Sequence, residues 1–275
     1  MSLDSAQIEQ WRGWIGRSER HVEYLHRECM RRYAAASGGE LDVEARQPSL
    51  GHWAYFLPTV AADGVGVDGH PLRGGFLPPV TLPRRMFAAA EIRFERPLQL
   101  DVEAELVATI RDVKHRAGKS GELVLIELDR VLSQQGIVRL SERQTIVYRD
   151  AGAPTPAVED AGLTAGAGDE RWLPGAVDLF RYSAATFNGH RIHYDLPYAT
   201  MEEGYPGLVV HGPLTATRLH AYAARRLGRA PARFAFRAVA PLFCEQPVLL
   251  RPGGIENEIV AVRCDGITAM IATAD

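Results

Sequence analysis

Between residues 186 and 195 the sequence reads TFNGHRIHYD, gathering Asn188, His190, His193 and Asp195 into a stretch whose only aliphatic residue is Ile192. Imidazole exchanges protons near neutral pH, so each histidine is a candidate acid or base. Asparagine carries an amide that can orient a water but cannot transfer a proton, whereas Asp195 is ionisable. Asn188–Gly189 marks a turn, so His193 is expected at or just past a turn rather than inside a helix, with His190 holding that turn. Asp195 is placed to cap the segment LPYATMEEG, with Pro197 in its first turn. His190, His193 and the downstream His211 raise the question of a metal. H-x-x-H across a turn should point the two rings apart, and no Glu-rich or Cys-rich set accompanies them, so no metal is predicted. His211 is instead expected to pack or hydrogen-bond near a helix entry.

That helix follows from PLTATRLHAYAARRLG (213–228), where Pro213 suits a first turn and Gly228 a position just past the end. The Gly212 amide, ahead of Pro213, lies where a helix start leaves donors unpaired, and a developing oxyanion could be held there. Arg191 reads as a surface charge or as a partner for a substrate carboxylate. Arg84 and Arg85, in LPRRM, read as solvated charges or as contacts for a phosphate-bearing ligand. The glycines of DGHPLRGG lack the strand–loop–helix context of a phosphate loop. His52 and His70 lack the spacing seen around His193, so the N-terminal half is expected to bind and support, with no catalytic set of its own.

Three kinds of pattern must position these residues. Residues 87–150 contain alternating runs such as LVLIELDRVL and RQTIVYR, separated by glycine-containing turns at 118–121 and 136, as in a meander of long antiparallel strands. Residues 233–275 repeat that plan in shorter form, with a tight Asp265–Gly266 turn, as an internal duplication would. Ahead of each meander lies a helical pattern: 213–228 in the second half, and 5–36 in the first, where Ile8, Trp11, Ile15, Val22, Leu25, Cys29 and Tyr33 fall at helical spacing. A long helix wrapped by a curved antiparallel sheet, occurring twice, is an α+β double hot-dog. Residues 151–170 are rich in Ala, Gly and Pro, with Val158 and Leu163 as the only larger aliphatics, and read as a linker between an N-terminal domain (1–150) and a C-terminal catalytic domain (171–275).

The whole chain sets outer limits. Its 275 residues, 46% hydrophobic and 24% charged, can bury a substantial core. A net charge of −3 offers no strong basic field, so neither nucleic acid nor a membrane surface is an expected partner. Cys29, Cys244 and Cys264 are odd in number and widely spaced, which argues against a disulfide scaffold or a zinc ribbon. With no leader or membrane span evident, a cytoplasmic location is expected.

The stretches RYSAATFNGHRIHYDLPYA and EGYPGLVVHGPLTA resemble the signature of the MaoC-like hydratase/dehydratase family. The resemblance is closest to its double hot-dog subgroup, which includes mesaconyl-C4-CoA hydratases and mitochondrial-type 3-hydroxyacyl-thioester dehydratases. LGHWAYFLP, DGHPLRGGFLPPVTLPRRM and SERQTIVYRD resemble that subgroup's degenerate N-terminal half, so the likeness spans nearly the whole chain. It implies a cofactor-free hydro-lyase acting on an acyl-CoA thioester, with a homodimer left open. The family's histidine falls on His193 and its aspartate on Asn188, a departure that leaves His193 as the strong proton-transfer group. Asn188 would then orient water, unless Asp195 is the true partner. The family's chemistry also gives the arginines a meaning: CoA phosphates for Arg84 and Arg85, a dicarboxylyl substrate's free carboxylate for Arg191. Mesaconyl-C4-CoA is the favoured substrate. The alternatives are a dehydratase of linear 3-hydroxyacyl thioesters on CoA or acyl carrier protein, and a non-catalytic acyl-CoA-binding protein.

Overall fold

The computed structural model describes residues 3–118 and 121–275. The alternating runs become four long strands, β2 (Arg84–Phe94), β3 (Glu103–Gly118), β4 (Gly121–Gln134) and β5 (Ile137–Arg149), and four shorter ones, β7 (Arg233–Ala238), β8 (Val248–Pro252), β9 (Glu258–Arg263) and β10 (Thr268–Ala274). With edge strands β1 (Ser18–Tyr24) and β6 (Glu170–Trp172) they form one antiparallel sheet in the order β1-β3-β4-β5-β2-β7-β10-β9-β8-β6. Read from either edge inward, the sheet gives the same sequence of roles: edge strand, three-strand meander, then the strand that follows the helix. The expected duplication is therefore present in the topology, and the two copies join where β2 pairs with β7, from Ala89 opposite Arg237 to Arg93 opposite Arg233. The β4–β5 turn at Gln135–Gly136 has φ of 53° and 73°, the left-handed pair that matches the twist of a two-residue hairpin. Residues 119 and 120 of the expected turn at 118–121 lie outside the described residues.

The helix of the second half, α4 (Gly212–Leu227), is where the sequence placed it, with Pro213 in its first turn and Gly228 left-handed at its end (φ 67°). The first half differs from expectation. Instead of one helical run over 5–36, the chain forms α1 (Ser5–Arg12), β1, and α2 (Arg27–Ser37). Gly13 caps α1, and Gly16 (φ 87°) turns the chain so that SERHVEY can pair with β3 from Ser18 opposite Thr109 to Tyr24 opposite Glu103. A continuous ladder outweighed a weak helical spacing whose charged residues are equally at home on an exposed edge. Met30, Tyr33 and Ala34 of α2 are fully buried, and Tyr33 Oη lies 2.8 Å from Thr217 Oγ1 of α4, tying the two helices together.

A third helix, α3 (Ala176–Ala185), forms in a stretch for which the sequence patterns predict no element. It packs against α2, burying Leu179, Tyr182 and Ser183 while Val177 and Phe180 stay exposed, so its apolar residues face two ways and blur the period. Residues 151–169 carry no helix or strand, yet the segment is fastened along the second half. Its two aliphatics help to fasten it, Val158 packing against the cluster that includes Tyr198 and Phe243 and Leu163 against the cluster of Leu249, Val260 and Val262, and Gln246 Nε2 donates to Val158 O (3.1 Å). His52 is a core residue. It lies 3.7 Å from the buried carboxylate of Glu142, which accepts from Trp53 Nε1 and Arg130 Nη1, both at 3.0 Å. Burial alone would raise Glu142, but the surrounding His52 and Arg130 hold its pKa down at about 2. No helix among the described residues is long and apolar enough to cross a membrane.

Candidate active site

The site begins at the end of α3. The Asn188 N–H donates to Ser183 O (2.8 Å) as the chain leaves the helix through Phe187, a non-glycine residue at φ 47°. Asn188 Oδ1 then accepts from the His190 N–H (3.0 Å), an Asx turn of the kind Asn-Gly predicts. Arg191–His193 close one 3-10 turn, so His193 stands within that turn, as expected outside any α-helix. Asp195 Oδ1 accepts from the Tyr198 N–H (3.1 Å), ahead of the helical residues that begin at Leu196 and run into the π-helical turn Tyr198–Glu202.

His193 is 7% exposed, and its Nδ1 lies 2.7 Å from the Val209 carbonyl oxygen. A carbonyl can only accept, so Nδ1 carries the proton and Nε2 holds the lone pair. Nε2 has no partner among the described residues, yet it is not sealed away, whereas His211 Nδ1, His52 Nε2 and His220 Nε2 are buried without a partner. Burial holds the His193 pKa down at about 4, against the opposing Val209 hydrogen bond, so the ring is neutral near pH 7 and able to accept a proton. His211 caps α4, fully buried, and its ring stacks on His193 at 3.6 Å and 20° while its Nε2 meets Ser183 Oγ at 2.8 Å. That fulfils the expected packing role and adds a partner, Ser183, which the unrecognised α3 had hidden. One residue on, the Gly212 N–H opens α4. No acceptor takes it among the described residues, and Pro213 beside it has no N–H at all.

Two expectations need correction. The rings of His190 and His193 do not diverge: they stand edge-on at 5.4 Å and 87°, because the 3-10 turn brings positions three apart onto one side. Among the described residues no group of three or more His, Cys, Asp or Glu is arranged to hold a metal. Arg191 is a part-exposed charge, its side chain 38% accessible, held by partners within the chain. Its Nε and Nη2 donate to Asp195 Oδ2 (2.9 and 2.8 Å), Nη1 donates to Val67 O (3.0 Å), and the guanidinium covers the Tyr198 ring at 4.2 Å. Asp195 is thus occupied on both oxygens, and hydrogen bonds from Arg191 and Tyr198 keep its pKa below the usual carboxylate range. Arg84, one of the pair read as solvated or phosphate-facing, is 7% exposed and paired with Glu203 Oε2 at 3.0 Å over the Tyr205 ring. Arg85 has no ion pair among the described residues and stays near enough to His70 and His190 to lower both.

The N-terminal half contributes what sequence reasoning passed over. His70 packs its ring on His190 at 4.2 Å, and its Nδ1 donates to Asp68 Oδ2 at 3.1 Å. The only sequence signal was Asp-Gly-His in DGHPLRGG, two titratable groups flanking a glycine, and nothing local says which distant turn they meet. The assembled site is a run of imidazoles from His70 through His190 and His193 to His211, anchored by a carboxylate at one end and a hydroxyl at the other.

The chain is similar to several known proteins. A model of the hydroxyacyl-thioester dehydratase type 2 family matches residues 49–244. The mesaconyl-C(4)-CoA hydratase of Chloroflexus aurantiacus is 42% identical over 275 residues, covering 96% of this chain and 97% of that protein. The mitochondrial hydroxyacyl-thioester dehydratase type 2 of Schizosaccharomyces pombe is 27% identical over 237 residues, covering 75% of this chain and 77% of its own. A solved Mycobacterium tuberculosis structure described as a double hot-dog fold superposes with a TM-score of 0.57 at 13% identity, over 94% of this chain and 95% of that one. That last likeness shows the shared fold.

Proposed function

This chain belongs to the hydroxyacyl-thioester dehydratase type 2 family, and from that membership we propose that it is a hydro-lyase adding water reversibly across the α,β double bond of an enoyl-CoA thioester. The favoured substrate is mesaconyl-C(4)-CoA, supported by the 42% identity to a hydratase of that name along almost the full length of both chains. One observation carries the mechanism: His193 is a buried, neutral imidazole with Nδ1 committed to Val209 O and Nε2 left free. In the proposed reaction Nε2 takes a proton from water as its oxygen bonds to Cβ, then returns that proton to Cα. The free N–H of Gly212 at the start of α4 would hold the negative charge that builds on the thioester oxygen between those events. Asn188, whose Oδ1 is used by the turn, keeps its Nδ2 hydrogens for the oxygen of the water. Asp195, tied to Arg191 and Tyr198, is not given this role. Arg85, of the three arginines the one with no ion pair among the described residues, is assigned to the substrate's negative charges.

A second reading, dehydration of a linear 3-hydroxyacyl thioester, is favoured by the family model and by the yeast relative. The test is hydration of mesaconyl-C(4)-CoA, itaconyl-CoA and crotonyl-CoA side by side, with His193→Ala as control. Preference for mesaconyl-C(4)-CoA and a loss on the order of 1,000-fold in the variant are expected. Preference for crotonyl-CoA selects the second reading, and near-wild-type turnover by His193→Ala refutes the mechanism. Binding without turnover of any of them would mark an acyl-CoA-binding protein. We place the enzyme in the cytoplasm as a homodimer, an assembly that sedimentation of the purified protein reads directly.

A further inference from the structure

Two loops from opposite halves of the chain meet at His190. Gly69, at φ 87°, lies so close to Gly189 that a Cβ there would overlap the Gly189 carbonyl, and a Cβ on Gly189 would stand 2.6 Å from Gly69 O. The Arg191 N–H donates to Asp68 O (2.9 Å) and Arg191 Nη1 to Val67 O (3.0 Å), so main-chain contacts lock the register of the two loops. Held in this way, Asp68 accepts from His70 twice, through Nδ1 (3.1 Å) and through the backbone N–H (3.0 Å). The carboxylate fixes His70 as the Nδ1–H tautomer and sets its ring against His190. His190 in turn stands edge-on to His193. Neither ring nitrogen of His190 has a hydrogen bond among the described residues, and neither is sealed from solvent. The centroids of the His190 and His193 rings lie 5.4 Å apart, edge to face, so the unpartnered nitrogens of both rings border the same site.

We infer that His190 is a second catalytic residue, accepting a hydrogen bond from the attacking water beside His193, and that Asp68 and His70 of the N-terminal half are the positioning residues that set its ring. This inference rests on the hydration reading above and fills the role that Asn188, lacking a carboxylate, leaves vacant. The atoms balance without further reagents. The water oxygen bonds to Cβ, the π pair moves to Cα and the thioester oxygen, one water proton passes to His193 Nε2 and then to Cα, and the other remains on the new hydroxyl. His190 receives no proton. It directs that second O–H and so aims the oxygen, which requires an uncharged ring. Burial keeps it uncharged, with its pKa pushed down to about 2, helped by His70, His193 and Arg85 and opposed by Asp68.

The test begins with the wild-type protein on the three thioesters above, and every variant is then assayed on whichever one it hydrates. A wrong substrate, or no hydration at all, therefore shows in the wild type alone. His190→Gln should lower kcat on the order of 100-fold while KM stays within about threefold. Asp68→Asn and His70→Gln should each lower kcat roughly tenfold, acting through the ring they position. Adding Asn188→Asp to His190→Gln should recover about tenfold or more, because a carboxylate at 188 can accept the same O–H. A ring that merely filled space would not be rescued by a carboxylate two residues away. Wild-type kcat in His190→Gln, or loss with no recovery in the double variant, overturns the inference. If His190→Gln does not fold, Asp68→Asn decides instead: unchanged kcat overturns the inference, and a kcat-only loss supports it.

Discussion

At the scale of the residue, one hydrogen bond divides the histidines into workers and fillers. His193 spends Nδ1 on Val209 O and keeps Nε2, whereas His211 spends Nε2 on Ser183 and has Nδ1 sealed in the core. Both rings are neutral at pH 7 because burial penalises the imidazolium, but only His193 presents its lone pair to a ligand. A measurable consequence is the acid limb of kcat/KM. The neutral ring is the active form, so activity falls as pH drops through the folded pKa, at about 4 and not at the 6.5 of a free imidazole. A kcat/KM profile that falls with a midpoint near 6.5 would show that the ring is solvated as in water.

At the scale of the element, the site depends on two loops that approach as backbone on backbone. Gly69 needs both its left-handed φ and its missing side chain, and either requirement alone would restrict the position. Gly69→Ala should therefore strip the loop 66–72 from the turn 186–195, lowering kcat/KM on the order of 10-fold or more as His70 loses its stand against His190. The sheet and helices lie elsewhere, so far-UV circular dichroism should match the wild type. Gly75, where a Cβ meets nothing, is the matched control. Equal activity in Gly69→Ala and Gly75→Ala would show that the loop contact is dispensable.

At the scale of the whole molecule, the buried histidines set the response to acid. Burial depresses His193 and His220 to about 4 and His190 to about 2, and lowers His70 and His211 as well. In the unfolded chain each ring takes up a proton near 6.5. The unfolded state therefore binds more protons below that pH, so stability is complete above about 6.5 and is lost as pH falls toward the folded values. Each such ring steepens the loss by up to about 1.4 kcal/mol per pH unit. Glu142, held at about 2 in the fold, adds its own loss only at lower pH, once a free carboxylate would protonate. Urea midpoints at pH 7, 6 and 5 should fall progressively, and His220→Asn, in α4 and away from the site, should flatten the slope by about one proton. Midpoints that stay level from pH 7 to 5 would contradict this.

Much of this protein was legible one segment at a time. Alternation gave the two meanders, Pro213 and Gly228 bounded α4, and Asn188–Gly189 announced the turn that presents His193. These features depend on local geometry and on a two-residue or 3.6-residue period, which a sequence carries directly. Where periods conflicted, the reading failed: residues 5–36 resolved into helix, strand and helix because the β3 edge offered hydrogen bonds that no local pattern records, and α3 went unseen because it buries one face and exposes apolar residues on another. The partners of charge could not be read at all. Arg191 closes on Asp195 and Val67, Arg84 on Glu203, and Asp68–His70 reaches His190 across more than a hundred residues. The sequence alone determined which residues could carry the chemistry, since residue type fixes what a side chain can donate or accept. Only the tertiary structure decided which of them are free to use it, because that depends on burial and on neighbours brought together by β2–β7 pairing and the Gly69–Gly189 contact.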